Sequence, residues 1–285
     1  MKPLDDVTRW LKEATTPDVT DILPDFDQQE WSSLAVEERS KILENLLQKP
    51  VDNFSVMYRW YFRKKWFEAL DSAGVAAPVT LLEIGAGDGD MLPNLLAKKF
   101  SHKDTRYLTA NMNKQLTASL KAKTAGLPIQ LSVIEDEARN ICQYIENEKI
   151  DVIVFEHSVN DILQTILAER EGIDTTHENW WDILSKMIEI IKQEYLKNTL
   201  ETSARDEFLG LIRSCLDILK PGGYIIINHF MYQYDLDLGY EPDLWNNMLP
   251  IARQWISRVE GAREVSFEGF DPQWWLFLQK NAAQS

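Results

Sequence analysis

Apolar residues change their period near residue 75. Before that point Ile42, Leu43, Leu46 and Leu47 recur at helical spacing, and a second helical pattern over 53–72 carries Phe54, Met57, Tyr58, Tyr61, Phe62 and Trp66. No strand pattern occurs there. From Val79 onward short apolar runs take over: VTLLEI (79–84), RYLTA (106–110), IQLSVI (129–134), DVIVF (151–155) and YIIIN (224–228), with helical stretches between them. Parallel strands need crossovers of that kind, so the alternation predicts an α/β fold with a mainly parallel sheet covered by helices on both faces. The chain divides into a helical region, 1–75, and an α/β domain, 76–285.

The stretch LLEIGAGDGDMLPNLL, 81–96, places the first strand before the turn Gly85-Ala86-Gly87-Asp88-Gly89 and a helix from Asp90 to about Lys99. Glycines there let backbone approach a ligand at the carboxyl edge of the sheet, where open α/β folds bind. A dinucleotide fingerprint would need glycine at position 90, and Asp90 would turn its charge on a pyrophosphate. The spacing Glu83-x-Gly85-x-Gly87-x-Gly89 instead resembles the first motif of the class I methyltransferases that use S-adenosylmethionine. A tight turn packed for structural reasons is the competing reading.

That resemblance runs from about Val79 to the end of the chain. It implies a Rossmann-like, seven-stranded, mostly parallel sheet closed by an antiparallel hairpin. LKPGGYIIIN (219–228) resembles the segment before the family's fifth strand, and EVSFEGFDPQWWLFLQK (264–280) its closing hairpin, with Trp274 and Trp275 as packing residues. S-adenosylmethionine is the implied cofactor. Glu83, Gly85, Ala86, Gly87 and Gly89 correspond to positions beside its methionine portion. Asn111, with Met112 beside it, stands where the family usually has an acidic residue binding both ribose hydroxyls. An amide carries no charge, so Asn111→Asp is expected to retain or tighten binding. Asp136, or else Glu137, corresponds to the contact with the adenine amino group.

Composition narrows the setting. The 285 residues are 45% hydrophobic and 26% charged, enough for one large core, and the formal net charge is −15. Such a charge argues against a nucleic-acid backbone as partner, with RKK at 63–65 as the best local exception. No run approaches the ~20 apolar residues of a membrane span, and the start MKPLDDVTRW is acidic, so a cytoplasmic protein is expected. Cys142 and Cys215 lie far apart in predicted helices, which suggests buried thiols rather than a disulfide or zinc site.

Chemistry is expected where the fourth and fifth strands end. The fourth leads into Glu156-His157-Ser158-Val159-Asn160-Asp161 and the fifth into Asn228-His229. Imidazole suits proton removal near neutrality, so His157 is the preferred general base, His229 its rival or helper, and Glu156 a further catalytic or cofactor-contacting group. Glu156, Asn228 and His229 also resemble the metal-holding positions of catechol-type O-methyltransferases. The set is poor in oxygen ligands for magnesium, so metal-free catalysis is expected.

The segment 162–203 exceeds a minimal crossover and reads as a helical insertion. Thr175 to Glu178 can form a capping box opening a helix whose face carries Trp180, Leu184, Met187, Ile188, Ile191 and Tyr195. With the amino-terminal helices it could form a lid, Tyr58, Tyr61 and Trp181 lining a substrate pocket and Arg59 and Arg63 meeting a carboxylate. The N-P-P-Y type of segment of nucleobase and glutamine N-methyltransferases is absent. The resulting expectation is methyl transfer to oxygen or nitrogen of a small molecule. The alternative is a cofactor-binding protein on this fold that does not methylate.

Overall fold

The computed structural model describes residues 25–39, 56–147, 149–230, 235 and 237–282, with the side chains of 25–27 and 56–61 left out of the description. The helix expected around 42–47 and the side chains of Tyr58, Arg59 and Tyr61 therefore lie outside the described residues.

The sheet has seven strands in the order β3-β2-β1-β4-β5-β7-β6. They are β1 Thr80–Ile84, β2 Arg106–Ala110, β3 Gln130–Ile134, β4 Ile150–Glu156, β5 Leu219–Asn228, β6 Ala262–Val265 and β7 Trp275–Lys280. The first five run parallel, β7 is antiparallel to β5, and β6 is antiparallel to β7. This is a Rossmann-like sheet with an antiparallel hairpin at its carboxyl-terminal edge, as the sequence resemblance implied. Strand order reverses between β1 and β4, so their carboxyl ends open the crevice in which such sheets bind ligands.

Alternation along the central strands assigns residues to two cores, because successive side chains leave a strand on opposite faces. Leu82, Ile84, Ile153, Phe155, Ile225 and Ile227 face helices α5 (Val159–Arg170), α6 (Trp180–Leu196), α7 (Leu200–Ile218) and α8 (Pro242–Ile256). Leu81, Val152, Val154 and Ile226 face α1 (Asp25–Ser33), α2 (Val56–Ser72) and α3 (Met91–Lys99). A further helix, α4 (Lys114–Lys123), links β2 to β3. Trp31 and Trp66 are fully buried in the second core, where Trp66 meets Trp275 edge-on at 5.0 Å between ring centroids. Trp274 and Trp275 are buried packing residues.

Several local expectations change. Helix α7 ends at Ile218, and Leu219 already pairs with Ile150 as the first residue of β5. A register shift follows, and Gly223 is required there: a Cβ would lie 2.8 Å from the Asp151 carbonyl and 2.9 Å from that of Lys220. Helix α8, which the hydrophobic pattern did not reveal, contains Pro250 and buries Leu244, Trp245, Met248, Leu249 and Trp255. The capping box does not form. Asn179 caps α6 by accepting from Trp181 N–H, while Asp174 accepts from the N–H groups of Thr176 and His177.

RKK is neutralised in place. Arg63 sits 3.8 Å from Glu30, and Lys64 and Lys65 both pair with Glu68. Arg63 is thereby tied to α1 rather than presented to a ligand carboxylate. Cys215 is buried, but Cys142 is exposed, contrary to expectation, because it sits on a short 3-10 turn, Ala138–Gln143, at the surface. Among the described residues no helix is long and apolar enough to cross a membrane.

Candidate functional site

A cavity of about 290 Å³ opens along the carboxyl ends of β1, β2 and β4. Its floor is the turn after β1. Gly85 and Gly87 have φ of +72° and +56°, a region costly for L side chains, so the turn depends on glycine at both. A Cβ at Gly85 would meet Ser158 Cβ at 3.1 Å, and Ser158 Oγ donates to the Ile84 carbonyl at 2.8 Å. The two loops that frame the cavity are thus packed on each other. A Cβ at Gly87 would meet only Leu116 Cδ1, at 3.8 Å.

Asn111 follows β2 with its side chain 5% exposed. Its Nδ2 donates to the Gly87 carbonyl at 2.7 Å and to Thr117 Oγ1 at 3.0 Å. Both amide hydrogens are spent on the protein, which leaves Oδ1 as the group offered to a ligand. The amide is required here for a reason the sequence does not display. A carboxylate would bring a second acceptor against the Gly87 carbonyl, so the expectation that Asn111→Asp retains or tightens binding is reversed.

Met112, Asp136 and Glu137 also line the cavity, and the acids are already engaged. Asp136 accepts from Tyr144 Oη at 2.7 Å, from its neighbour's N–H and from Asn140, bonds that hold its carboxyl below the usual range. Glu137 pairs with Arg139, which also reaches Glu169 and Glu207 at 3.3 Å each. That arginine joins the end of β3 to α5 and α7.

Glu83 is not a cavity residue. Its carboxyl is 4% exposed and accepts from Tyr107 Oη at 2.5 Å; burial pushes it up to about 8, against the pull of that hydrogen bond. Adjacent side chains on a strand leave opposite faces, and Glu83 faces the core.

At the end of β4 the chain turns sharply. His157 has φ of +52°, unusual for a residue with a side chain, and its N–H donates to Asn228 Oδ1 at 2.9 Å. Its ring borders the cavity, yet the general-base role expected of it does not fit this arrangement. Nδ1 accepts from Phe230 N–H at 3.3 Å, which puts the proton of the neutral ring on Nε2, 4.0 Å from Asp235 Oδ2. Burial pushes the imidazole down to about 3. His229 is fully buried, stacks on His157 at 4.9 Å, and lies outside the cavity lining. Burial, with His157 adding to it, holds its ring well below the ordinary range. The metal trio does not assemble either, since Asn228 spends its oxygen on His157 N–H and His229 is in the core.

Two carboxyls stand in their place. Glu156, at the last position of β4, and Asp161, in the first turn of α5, both line the cavity. Burial pushes Glu156 up to about 7. Burial first, then the charges of Asp235 and Glu156, pushes Asp161 up to about 8. Behind Asp161 lie Asn160, whose Nδ2 donates to Asp161 Oδ1 at 2.6 Å, and Gln164, whose Nε2 donates to Tyr240 Oη at 2.6 Å. Sequence reasoning passed over Asp161, although it ends the same polar run as Glu156. Tyr240 gave no signal, being brought in by a loop far along the chain.

Trp180 and Trp181, at the start of α6, border the other side of the cavity, Trp181 with 58% of its surface exposed. The rest of α6 buries Leu184, Met187, Ile188 and Ile191 in the core, with Trp180 and Tyr195 packed against it.

No protein-family profile and no curated protein matches the sequence. Among solved structures, the chain is similar to a putative S-adenosylmethionine-dependent methyltransferase from Methanococcus maripaludis, at 13% identity and a TM-score of 0.48, over 87% of this chain and 94% of that one. It is also similar to a putative rRNA methylase from Clostridium thermocellum (12% identity, TM-score 0.46, 77% and 97% covered). A third is the fibrillarin pre-rRNA processing protein of Methanococcus jannaschii (14%, 0.41, 73% and 69%). The exclusion of nucleic acid as a partner is corrected by these likenesses, since two of the three proteins are named for ribosomal RNA. Net charge is a sum over the whole surface and does not fix the field at one face.

Proposed function

We propose that the protein is an S-adenosylmethionine-dependent methyltransferase that acts on oxygen or nitrogen of a small acceptor held in the cavity. The observation that carries this reading is the cavity itself, which joins the Gly85–Gly89 turn, Asn111, Asp136 and Glu156 along the carboxyl edge of β1, β2 and β4. The residues fit the cofactor. Gly87 leaves the floor open, Asn111 Oδ1 offers an acceptor to a ribose hydroxyl, and Asp136 and Glu137 offer acceptors to an exocyclic amine. When bound, S-adenosylmethionine supplies an electrophilic methyl group on a sulfonium.

The protein's own part is to hold, orient and deprotonate the acceptor. Glu156 and Asp161 are the groups for that last task, being raised towards neutrality as a base working near pH 7 should be. Trp180 and Trp181 would limit the access of water. Incubation with methyl-tritiated S-adenosylmethionine and a fractionated cell extract tests the proposal. Label is expected in the low-mass fraction, with S-adenosylhomocysteine formed in equal amount. Label in nuclease-sensitive material would replace the small acceptor with RNA or DNA, and cofactor bound without conversion would favour a non-methylating protein.

A further inference from the structure

The first N–H groups of an α-helix have no partner within it. In helix α4, Gln115 and Leu116 donate theirs to Asn113 Oδ1 at 3.1 Å each, and Lys114 donates to the Thr176 carbonyl at 3.0 Å. Asn113 is therefore the cap of α4, but its other end is engaged as well. Nδ2 donates to the Thr175 carbonyl at 2.9 Å and to the Glu178 carbonyl at 3.0 Å. Two acceptor and two donor positions are all filled, in a residue only 3% exposed. The neighbours also fix which end is oxygen, since a reversed amide would set N–H against N–H and carbonyl against carbonyl.

These bonds join two walls of the cavity. On one side Asn111 and Met112, which line it, lead directly into Asn113. On the other, Thr175 lines it at 3% exposure, and the cavity-lining Trp180 and Trp181 follow Glu178 within three residues. Opening of 174–181 must break the three bonds to Asn113 and Lys114. Asp and Ser cap helices as well as Asn does, but a carboxylate has no hydrogen to donate and a hydroxyl has one. The cap alone does not require an amide here, whereas the bonds to Thr175 and Glu178 do.

We infer that Asn113 is a positioning residue, which clamps the Thr175–Trp181 wall of the cavity to the Asn111–Met112 segment so that the two walls hold a ligand as one unit; naming that ligand as the adenosyl cofactor rests on the methyltransferase reading. A ligand seated against Asn111 restrains the segment from which the clamp projects, and so slows opening of 174–181. The coupling is reciprocal: a released wall weakens the ligand by the factor by which the ligand steadies the wall.

Two substitutions separate the clamp from the cap. Asn113→Asp keeps the cap and sets a carboxylate oxygen against two carbonyls, and Asn113→Ser keeps the cap without adding charge. Hydrogen exchange of the full chain, read by mass spectrometry, is the assay, with folding checked by circular dichroism. Without ligand, exchange over 174–181 is expected to run about tenfold faster in both variants than in the native chain, and over 114–123 to stay within about threefold. Saturating S-adenosylhomocysteine should slow 174–181 about tenfold in the native chain and about twofold or less in the variants, which should bind it about tenfold more weakly. Unchanged exchange over 174–181 in a folded variant, acceleration shared equally by 114–123, or equal slowing by the ligand in native and variant proteins would overturn the inference. Should neither variant fold, the native chain alone decides, and protection by the ligand that spares 174–181 would refute the clamp. Failure of the native chain to bind S-adenosylhomocysteine would instead sink the methyltransferase reading, with the ligand-free comparison still testing the clamp.

Discussion

Asn111→Asp exchanges one amide nitrogen for oxygen and leaves the shape of the side chain almost unchanged. In the native protein that nitrogen donates to the Gly87 carbonyl at 2.7 Å and to Thr117 Oγ1 at 3.0 Å. The Thr117 hydroxyl, which donates to the Asn111 backbone carbonyl at 3.2 Å, can rotate and donate to a carboxylate instead, so that contact is exchanged for another. The Gly87 contact cannot be exchanged, because two acceptors would stand where a donor and an acceptor stood. Loss of one buried partner costs about 1–3 kcal/mol. Gly87 belongs to the turn that floors the cavity, so the penalty falls on the conformation that binds the cofactor. At about 1.4 kcal/mol per tenfold, S-adenosylhomocysteine should bind roughly five- to a hundredfold more weakly to Asn111→Asp at pH 7.5. Isothermal calorimetry on the folded variant gives the number. Affinity equal to or tighter than that of the native chain would mean that the carboxylate serves the ribose better than the amide serves Gly87, and the account of this turn would be wrong.

Gly87→Val should abolish S-adenosylhomocysteine binding in a protein that still folds, since φ of +56° disfavours a β-branched residue and the only neighbour of the new Cβ is Leu116; circular dichroism and calorimetry on one sample check both halves. Gly223→Ala should lower stability by roughly 1–3 kcal/mol in urea unfolding, because two backbone carbonyls lie within 3 Å of the added carbon. Glu83 has a folded pKa of about 8 against an ordinary 4.5, so the unfolded chain loses this proton first and stability should fall as pH rises from 4.5 to 8. Urea midpoints across that range should show the decline, and Glu83→Gln should reduce it. If Glu156 and Asp161 remove the acceptor's proton, kcat/KM should rise through pH 7–8 as they ionise, and the rise should flatten in Glu156→Gln.

The strands were largely legible because their central members are buried on both faces and read as unbroken apolar runs; RYLTA coincides with β2, and VTLLEI and DVIVF fall within a residue of β1 and β4. Helix α8 was not. Pro250 sits inside it, and proline in a pattern normally marks an end. The turn glycines, Asn111 and Glu156 could be placed on the cavity because motif spacing fixes where backbone goes. What a side chain touches is another matter. Glu83 turns away to Tyr107, and His157 is locked by Phe230 N–H, a contact made 73 residues along the chain. Asp161 acquires its raised carboxyl first from burial and then from the charge of Asp235, at a comparable remove. Such long-range pairings leave no local trace.

The claim on which the rest depends is that the cavity after β1, β2 and β4 holds the adenosyl cofactor. A structure of the protein with S-adenosylhomocysteine tests it most directly. The account predicts the ribose hydroxyls beside Asn111 Oδ1, the amino acid portion along Gly85–Gly89, and the sulfur facing Glu156 and Asp161. A ligand found elsewhere, or a cavity that stays empty at saturating concentration, would contradict it.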